Sequence, residues 1–175
     1  MSRHQTASTR DRAGALGDDD HAASIAGGAL CAFWLGGRCL GLDVSLVGEV
    51  VTIQGATPVP LAREAIRGVF NLRGAPVVVL ELADVLELDR NQAGSTLGLV
   101  LRIGEIVAAA QIDRMEAVIP AGRGVFMARN PTGEHPAVLG FLDDREVSGR
   151  VITVLDPAVL IERLENLRYI GDSGE

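Results

Sequence analysis

Lysine is absent from the 175 residues: all sixteen cations are arginine, set against 23 acidic residues for a formal net charge of −7. The arginines are scattered singly. A net-acidic chain without a basic stripe cannot collect the phosphate contacts that drive nucleic-acid binding, so nucleic acid is excluded as a partner. Long apolar runs are missing too. None approaches the ~20 residues needed to cross a bilayer. The N-terminus does not follow the charged, apolar, small-residue order of an export signal, so the expected location is the cytoplasm, with no direct membrane insertion. Aromatic residues make up only 3%, but hydrophobic residues reach 47%, which excludes wholesale disorder. The length fits one domain or two small intertwined ones.

Cysteine is scarce, at two residues. Both lie in Leu30-Cys-Ala-Phe-Trp-Leu-Gly-Gly-Arg-Cys-Leu-Gly-Leu42, which reads as a β-hairpin turning at Gly36-Gly37. That turn sets Cys39 against Trp34 and Cys31 against Leu42, so the thiols do not oppose each other and a disulfide across the hairpin is not expected. Without neighbouring histidines they are also a poor metal set. One face carries Cys31, Phe33, Leu35, Leu40 and Leu42, the expected core face. Trp34 lies on the other, either packed on the terminal helix or part of a protein-binding surface.

Residues 1–28 hold almost no large apolar side chain and read as a flexible tail, its Asp18-Asp19-Asp20-His21 a solvated acidic run. Beyond it the pattern is β-rich. Asp43 is placed to cap a short helical turn through Val47, and Glu49-Val-Val-Thr-Ile53 resumes as a strand. Thr57-Pro-Val-Pro60 is a loop, and Leu61 to Ile66 leaves room for about one helical turn. The second half repeats the plan. Leu97–Ile103 and Ile106–Ile112 flank Gly104-Glu105 as a second hairpin, Asp113 stands where Asp43 stood, and Met115 to Ile119 echoes Val47 to Val51. Ala137-Val-Leu-Gly-Phe141 matches Ala65-Ile-Arg-Gly-Val69, and Val151 to Asp156 matches Val77 to Leu82, which argues for an internal duplication. Asp156-Pro157 opens a closing helix with Leu160, Leu164 and Leu167 on one face. Many short strands, few helices and tight glycine turns in each half describe two small β-barrels packed together.

Catalytic signatures do not assemble. His135 is the single histidine outside the tail, in an exposed loop with no carboxylate or nucleophile partner evident. There is no dinucleotide glycine motif, phosphate loop or nucleophile elbow. Asp143-Asp144 reads as a turn. No enzyme activity, cofactor, metal or small-molecule substrate is expected.

The segment Ile66-Arg-Gly-Val-Phe-Asn-Leu-Arg-Gly74 resembles the I-x-G-x-x-N-L-R-G signature of the CheW family, the bacterial chemotaxis coupling proteins. Asp43-Val-Ser-Leu-Val-Gly-Glu-Val50 is similar to that family's D-x-x-x-V-x-E-V/I stretch. The likeness runs from about Ala29 to Arg168, repeat and terminal helix included. It implies a mainly β fold: two SH3-like five-stranded β-barrels related by a pseudo-two-fold, with short helical turns and a C-terminal α-helix. The CheW-like domain would span 29–170, with a first barrel at about 29–90, a second at about 95–156 and the closing helix at 157–168. The implied role is a non-catalytic adaptor joining the cytoplasmic tips of methyl-accepting chemoreceptors to the regulatory domain of a CheA-type histidine kinase. The alternative is a kinase-only or peptide-binding scaffold of a divergent chemosensory or motility array.

Carried over position by position, the resemblance puts Val47, Glu49, Asn71 and Arg73 in a receptor-binding groove, joined through the internal repeat by Ile112, Asp113 and Met115. Gly68 and Gly74 are structural, required by backbone conformation or close approach. Other uses stand beside these: Asn71 can bond its own turn, Arg73 can brace Glu81 or Glu49, and Val47 can be plain core. The family's V-P-I/V-x-D-L-R continuation is altered. The proline falls early at Pro76, Glu81 replaces the aspartate and Ala83 the arginine, as in a divergent member.

Overall fold

The computed structural model describes residues 28–63, 65–88, 95–103, 106–130 and 134–168. The segment read as a tail lies, through residue 27, outside them, as do Gly104 and Glu105 of the second hairpin. The strands are β1 (Leu30–Leu35), β2 (Arg38–Asp43), β3 (Val47–Thr52), β4 (Ile66–Leu72), β5 (Ala75–Leu80), β6 (Leu97–Ile103), β7 (Ile106–Gln111), β8 (Arg114–Ile119), β9 (Val125–Ala128), β10 (Val138–Asp143) and β11 (Val151–Leu155). Helices are few: α1 (Leu82–Val85), α2 (Arg145–Ser148) and α3 (Pro157–Arg168).

Local chemistry sets the first elements. Gly36 and Gly37 both take positive φ, 57° and 75°, the backbone that a two-residue primed hairpin turn requires. Cys31 pairs with Leu42 and Trp34 with Cys39. Asp43 then caps a single 3-10 turn, Val44–Leu46, its Oδ1 accepting from the Ser45 N–H at 2.8 Å. In place of the expected helical turn over Leu61 to Ile66, the described residues make separate turns, the Ala62 N–H donating to the Val59 carbonyl and the Ile66 N–H to the Arg63 carbonyl, before β4 begins. Leu61 takes a positive φ of 60°, left-handed backbone that a right-handed helix cannot include.

Two sheets result, ordered β8-β1-β2-β11-β10-β9 and β3-β6-β7-β5-β4. They match strand for strand: β8 with β3, β1 with β6, β2 with β7, β11 with β5 and β10 with β4. The segment after the edge strand bends round to the far edge in both. Thr57 exchanges two backbone hydrogen bonds with Val69 of β4 (2.8 and 2.9 Å), and β9 pairs with β10. The strands are not divided at the midpoint of the chain, however. Hairpin β1-β2 belongs to the sheet of the second half, through parallel pairing of β2 with β11, and hairpin β6-β7 to that of the first, through β5 with β7. Compared with barrels at about 29–90 and 95–156, each sheet has taken the other half's hairpin.

The reason is that these hairpins are apolar on both faces. Phe33, Leu40 and Leu42 fill a central core shared by the sheets, as expected for the core face, together with Leu99, Leu101, Ile112, Leu82, Leu155 and Leu160. The opposite face is buried too. Ala32 and Cys39 pack with Leu142, Ile152 and Val154 in one satellite core, and Val100 and Ala109 with Phe70, Val77 and Val79 in the other. Trp34 joins the first satellite rather than the terminal helix. A strand buried on both faces must be central, which only a strand from the other half allows. Ala108, Ala109 and Ala110 are all but inaccessible, their small side chains letting the central core and one satellite core approach the two faces of one strand. The C-terminal helix α3 is capped by Asp156, whose Oδ1 accepts from the Ala158 N–H, and buries Leu160 in the central core. Arg163 donates to the Val85 carbonyl at 2.8 Å, tying α3 to α1.

Gly68 sits at a bulge in β4, where a Cβ would stand 2.4 Å from the Thr57 carbonyl oxygen. Close approach of two backbones is what this position requires. Gly68→Ala is therefore expected to lower the unfolding free energy by about 1–3 kcal/mol, the usual cost of overpacking. Denaturant titration checks this, and a change below experimental scatter would contradict it.

Candidate functional site

The turn joining β4 to β5 explains most of the segment Asn71-Leu-Arg-Gly74. Leu72 pairs with Ala75, and Arg73 and Gly74 between them take φ of 52° and 91°. This is again the primed geometry, with arginine held at a position that ordinarily favours glycine or asparagine. Asn71 supports it: its Oδ1 accepts from the Gly74 N–H at 2.7 Å. The Asn71 side chain thus bonds its own turn. The strained Arg73 backbone aims the side chain at the edge strand β3, where its Nη2 donates to Glu49 Oε2 at 2.6 Å. Glu49 rather than Glu81 is its partner. The guanidinium stays 78% exposed while Glu49 is 26% exposed, so the carboxylate fixes a cation whose other N–H groups face solvent.

Glu81 has a different role. It is buried and accepts from Arg67, which also donates to Gln111 Oε1 at 2.7 Å. Gln111 in turn donates to the Ser95 carbonyl. Ala83, at the position of the missing arginine, is buried in the central core.

The other expected site residues separate by depth. Val47 on β3 and Met115 on β8 are half-buried and pack on the central core, leaving one side of each open. Ile112 lies beneath them with no accessible surface, so it supports this rim and offers nothing to a partner. Asp113 is engaged internally: its Oδ2 accepts from the Gly36 N–H at 2.9 Å and its N–H donates to the Trp34 carbonyl. It pins the β1-β2 turn to the start of β8. Of the residues expected in the groove, Val47, Glu49, Asn71, Arg73 and Met115 thus keep accessible surface, and exposed Val44 and Val50 flank Val47 along the chain.

Several polar features carried no usable signal in the sequence. Asp144, read as a turn residue, is buried and takes a two-point contact from Arg123, at 2.9 and 3.1 Å. Burial alone would push its carboxyl up, but the hydrogen bonds from Arg123 and Ser148 outweigh it and hold the group below the usual carboxylate range. His135 is 20% exposed rather than free in solvent. Its Nε2 stands 3.6 Å from Glu87 Oε1, and its Nδ1 accepts from the Ala137 N–H. Trp34 donates its indole N–H to Glu116 at 2.6 Å, with Arg114 over the ring. Burial raises the pKa of both thiols, so Cys31 and Cys39 behave as neutral packing groups. Among the described residues no group of three His, Cys, Asp or Glu is arranged to hold a metal ion.

A family model described as the CheW-like domain matches residues 30–165. The chain is 29% identical to the chemotaxis protein CheW of Treponema pallidum over 101 residues, covering 48% of this chain and 59% of that protein. It is 29% identical to CheW of Thermotoga maritima over 82 residues, covering 47% and 54%. The chain thus spans about half the length of the curated relatives it matches. The crystal structure of the scaffolding protein TtCheW from Thermoanaerobacter tengcongensis has a similar fold, with a TM-score of 0.64 at 24% identity over 74% of this chain and 88% of that one.

Two outcomes are expected of these ion pairs. Exposed pairs contribute roughly 0–1 kcal/mol, so Arg73→Ala and Glu49→Ala should leave the unfolding midpoint almost unchanged. A double-mutant cycle by thermal unfolding checks this, and a coupling well above that range would show that the pair holds the barrel together. Asp144 behaves oppositely. Its pKa is lower folded than unfolded, so its contribution is fully present above the ordinary carboxyl range and is lost as pH falls through the folded value. Asp144→Asn should flatten the acid limb of the stability–pH curve, measured by urea unfolding from neutral to acid pH.

Proposed function

The chain belongs to the CheW-like domain family, and from that premise we propose that it is a non-catalytic adaptor in chemosensory signalling. It binds the cytoplasmic tip of a methyl-accepting chemoreceptor and the regulatory domain of a CheA-type histidine kinase, and couples the two. The observation that carries this reading is the Glu49–Arg73 pair, displayed on a strained, side-chain-buttressed turn and joined to an edge strand that also carries the half-buried Val47. A helical receptor tip presents an apolar stripe flanked by charges, and a site to receive it needs an apolar floor with polar groups at the rim. Val47 and Met115 supply the floor. Arg73 and Glu49 set register through charge pairs, which give specificity and on-rate more than raw affinity.

Prior pairing with Glu49 favours this use. A free surface arginine would lose side-chain entropy on docking, whereas one already held against a carboxylate and fixed in φ loses less. The adaptor would work on the cytoplasmic side, brought to the membrane by its receptor. Among the described residues no helix is long and apolar enough to cross a membrane.

The test is a pull-down with purified protein against a receptor-tip fragment and a kinase regulatory domain, separately and together. Arg73→Glu places two carboxylates side by side and should abolish capture of the receptor tip while leaving capture of the kinase domain within about threefold. Kinase capture alone by the unmodified protein would make it a structural component of an array without direct receptor binding. Capture of neither partner would remove the adaptor role.

A further inference from the structure

The matching strand order of the two sheets lets the Glu49–Arg73 end of one barrel be compared with its counterpart. Each edge strand carries a bulge at the same place, at Gly48 in β3 and at Glu116 in β8. Facing the bulge are Arg102 and Trp34. A Cβ on Gly48 would meet Arg102 Nε at 2.9 Å, and Trp34 Nε1 bonds Glu116 Oε2 at 2.6 Å. The second barrel has therefore rebuilt the end with a carboxylate at the bulge itself and an aromatic ring across from it.

Two guanidinium groups complete the arrangement. Arg114 donates to Glu116 Oε2 at 2.8 Å and lies 4.4 Å from the centroid of the Trp34 ring. Arg150, which leads into β11, donates to Glu116 Oε1, its Cζ 5.8 Å from the same centroid. The indole N–H first, then the two arginines, hold the Glu116 carboxyl below its usual range against the opposing effect of burial, so it remains ionised. Two cations share one carboxylate. Asp113, which precedes Arg114 in the chain, is engaged by the β1-β2 turn, its Oδ2 accepting from the Gly36 N–H at 2.9 Å. Within the contacts of the cluster itself two arginines thus meet one carboxylate, on a chain whose total is −7. Arg114 and Arg150 are 55% and 36% exposed, with one N–H group of each engaged by Glu116 and no hydrogen bond from their other donors to the described residues.

We infer that the Trp34, Arg114, Arg150 and Glu116 cluster is a second docking surface, which takes a carboxylate-rich segment of a partner protein. Stacking on the ring and bonding to Glu116 fix both guanidinium planes before any partner arrives, and a fixed planar fork is suited to carboxylates. Trp and Arg around a desolvated carboxylate are also the residue types that dominate binding energy at interfaces. The acidic remainder of the chain repels the same segment elsewhere, which confines it to this end. The adaptor reading supplies a reason for two surfaces, but the cluster does not depend on it.

Trp34 is the sole tryptophan, so its emission reports this surface directly. Titration of the full chain with an oligoglutamate peptide at low ionic strength should give a saturable change in Trp34 emission that disappears at high salt. The double variant R114Q/R150Q should bind about tenfold or more weakly. R145Q, at an exposed arginine paired with Asp143, and Arg73→Glu, which shifts the net charge by the same two units as the double variant, should both bind as the unmodified chain does. Near-ultraviolet circular dichroism shows whether the double variant is folded. No saturable change, or an equal loss in R145Q, overturns the inference. So does inorganic phosphate giving the same saturation, which would make this a small-anion site. Loss of the peptide signal in Arg73→Glu would merge the two surfaces and overturn it while leaving the adaptor reading intact.

Discussion

Everything in this molecule depends on two hairpins that are apolar on both faces. A strand pair with one wet face can lie at the outside of a sheet, but β1-β2 and β6-β7 cannot. Phe33, Leu40, Leu42, Leu99 and Leu101 need cover on one side, and Ala32, Cys39, Val100 and Ala109 on the other. Each hairpin meets this demand by inserting between an edge strand and a β-hairpin of the opposite half. One central core then serves both sheets, and neither sheet can be completed without residues from the other half of the chain.

The sites follow from the same constraint. Once the hairpins occupy the middle of each sheet, β3 and β8 are left as edges that must bend to close, and each bends through a bulge. Bulges re-aim side chains and are concentrated at barrel rims. Glu49 and Glu116 are brought in this way against arginines from the β4-β5 turn and from the lead into β11. The polar groups at the other ends, Arg67 with Glu81 and Arg123 with Asp144, are more deeply set. Paired charges thus sit at the barrel rims while the three cores remain apolar.

Much of this was legible in the residues. The Gly36-Gly37 turn and its register, the Asp43 cap and the matched runs in the two halves depend on nearest neighbours and period, which a sequence displays. So did the closing helix from Asp156-Pro157. The Ile66 to Gly74 motif marked the turn and the Arg73 position, and the choice between Glu81 and Glu49 as its partner needed the bend of β3. The exchange of hairpins was not legible, because parallel pairing of β2 with β11 joins segments over a hundred residues apart and leaves no local mark. The burial of Ile112 was open to the repeat, since its counterpart Leu42 is a core residue, but the engagement of Asp113 was hidden, because its partners Trp34 and Gly36 lie in the opposite half. Asp144 reads as a turn residue because its arginine lies 21 positions upstream.

The interleaving also bears on how such a chain could have arisen. Matched strand order in the two sheets is the mark of a doubled unit, yet one unit alone has no sheet it can finish: its hairpin belongs in the other copy. A half-length ancestor with this pattern would have been stable only as an intertwined pair, each chain lending its hairpin to its twin, as in domain-swapped dimers. Fusion of the two genes would then have turned a concentration-dependent partnership into an intramolecular one. Freed from strict symmetry, the two ends could diverge, one keeping a single arginine on a strained turn and the other acquiring a tryptophan between two.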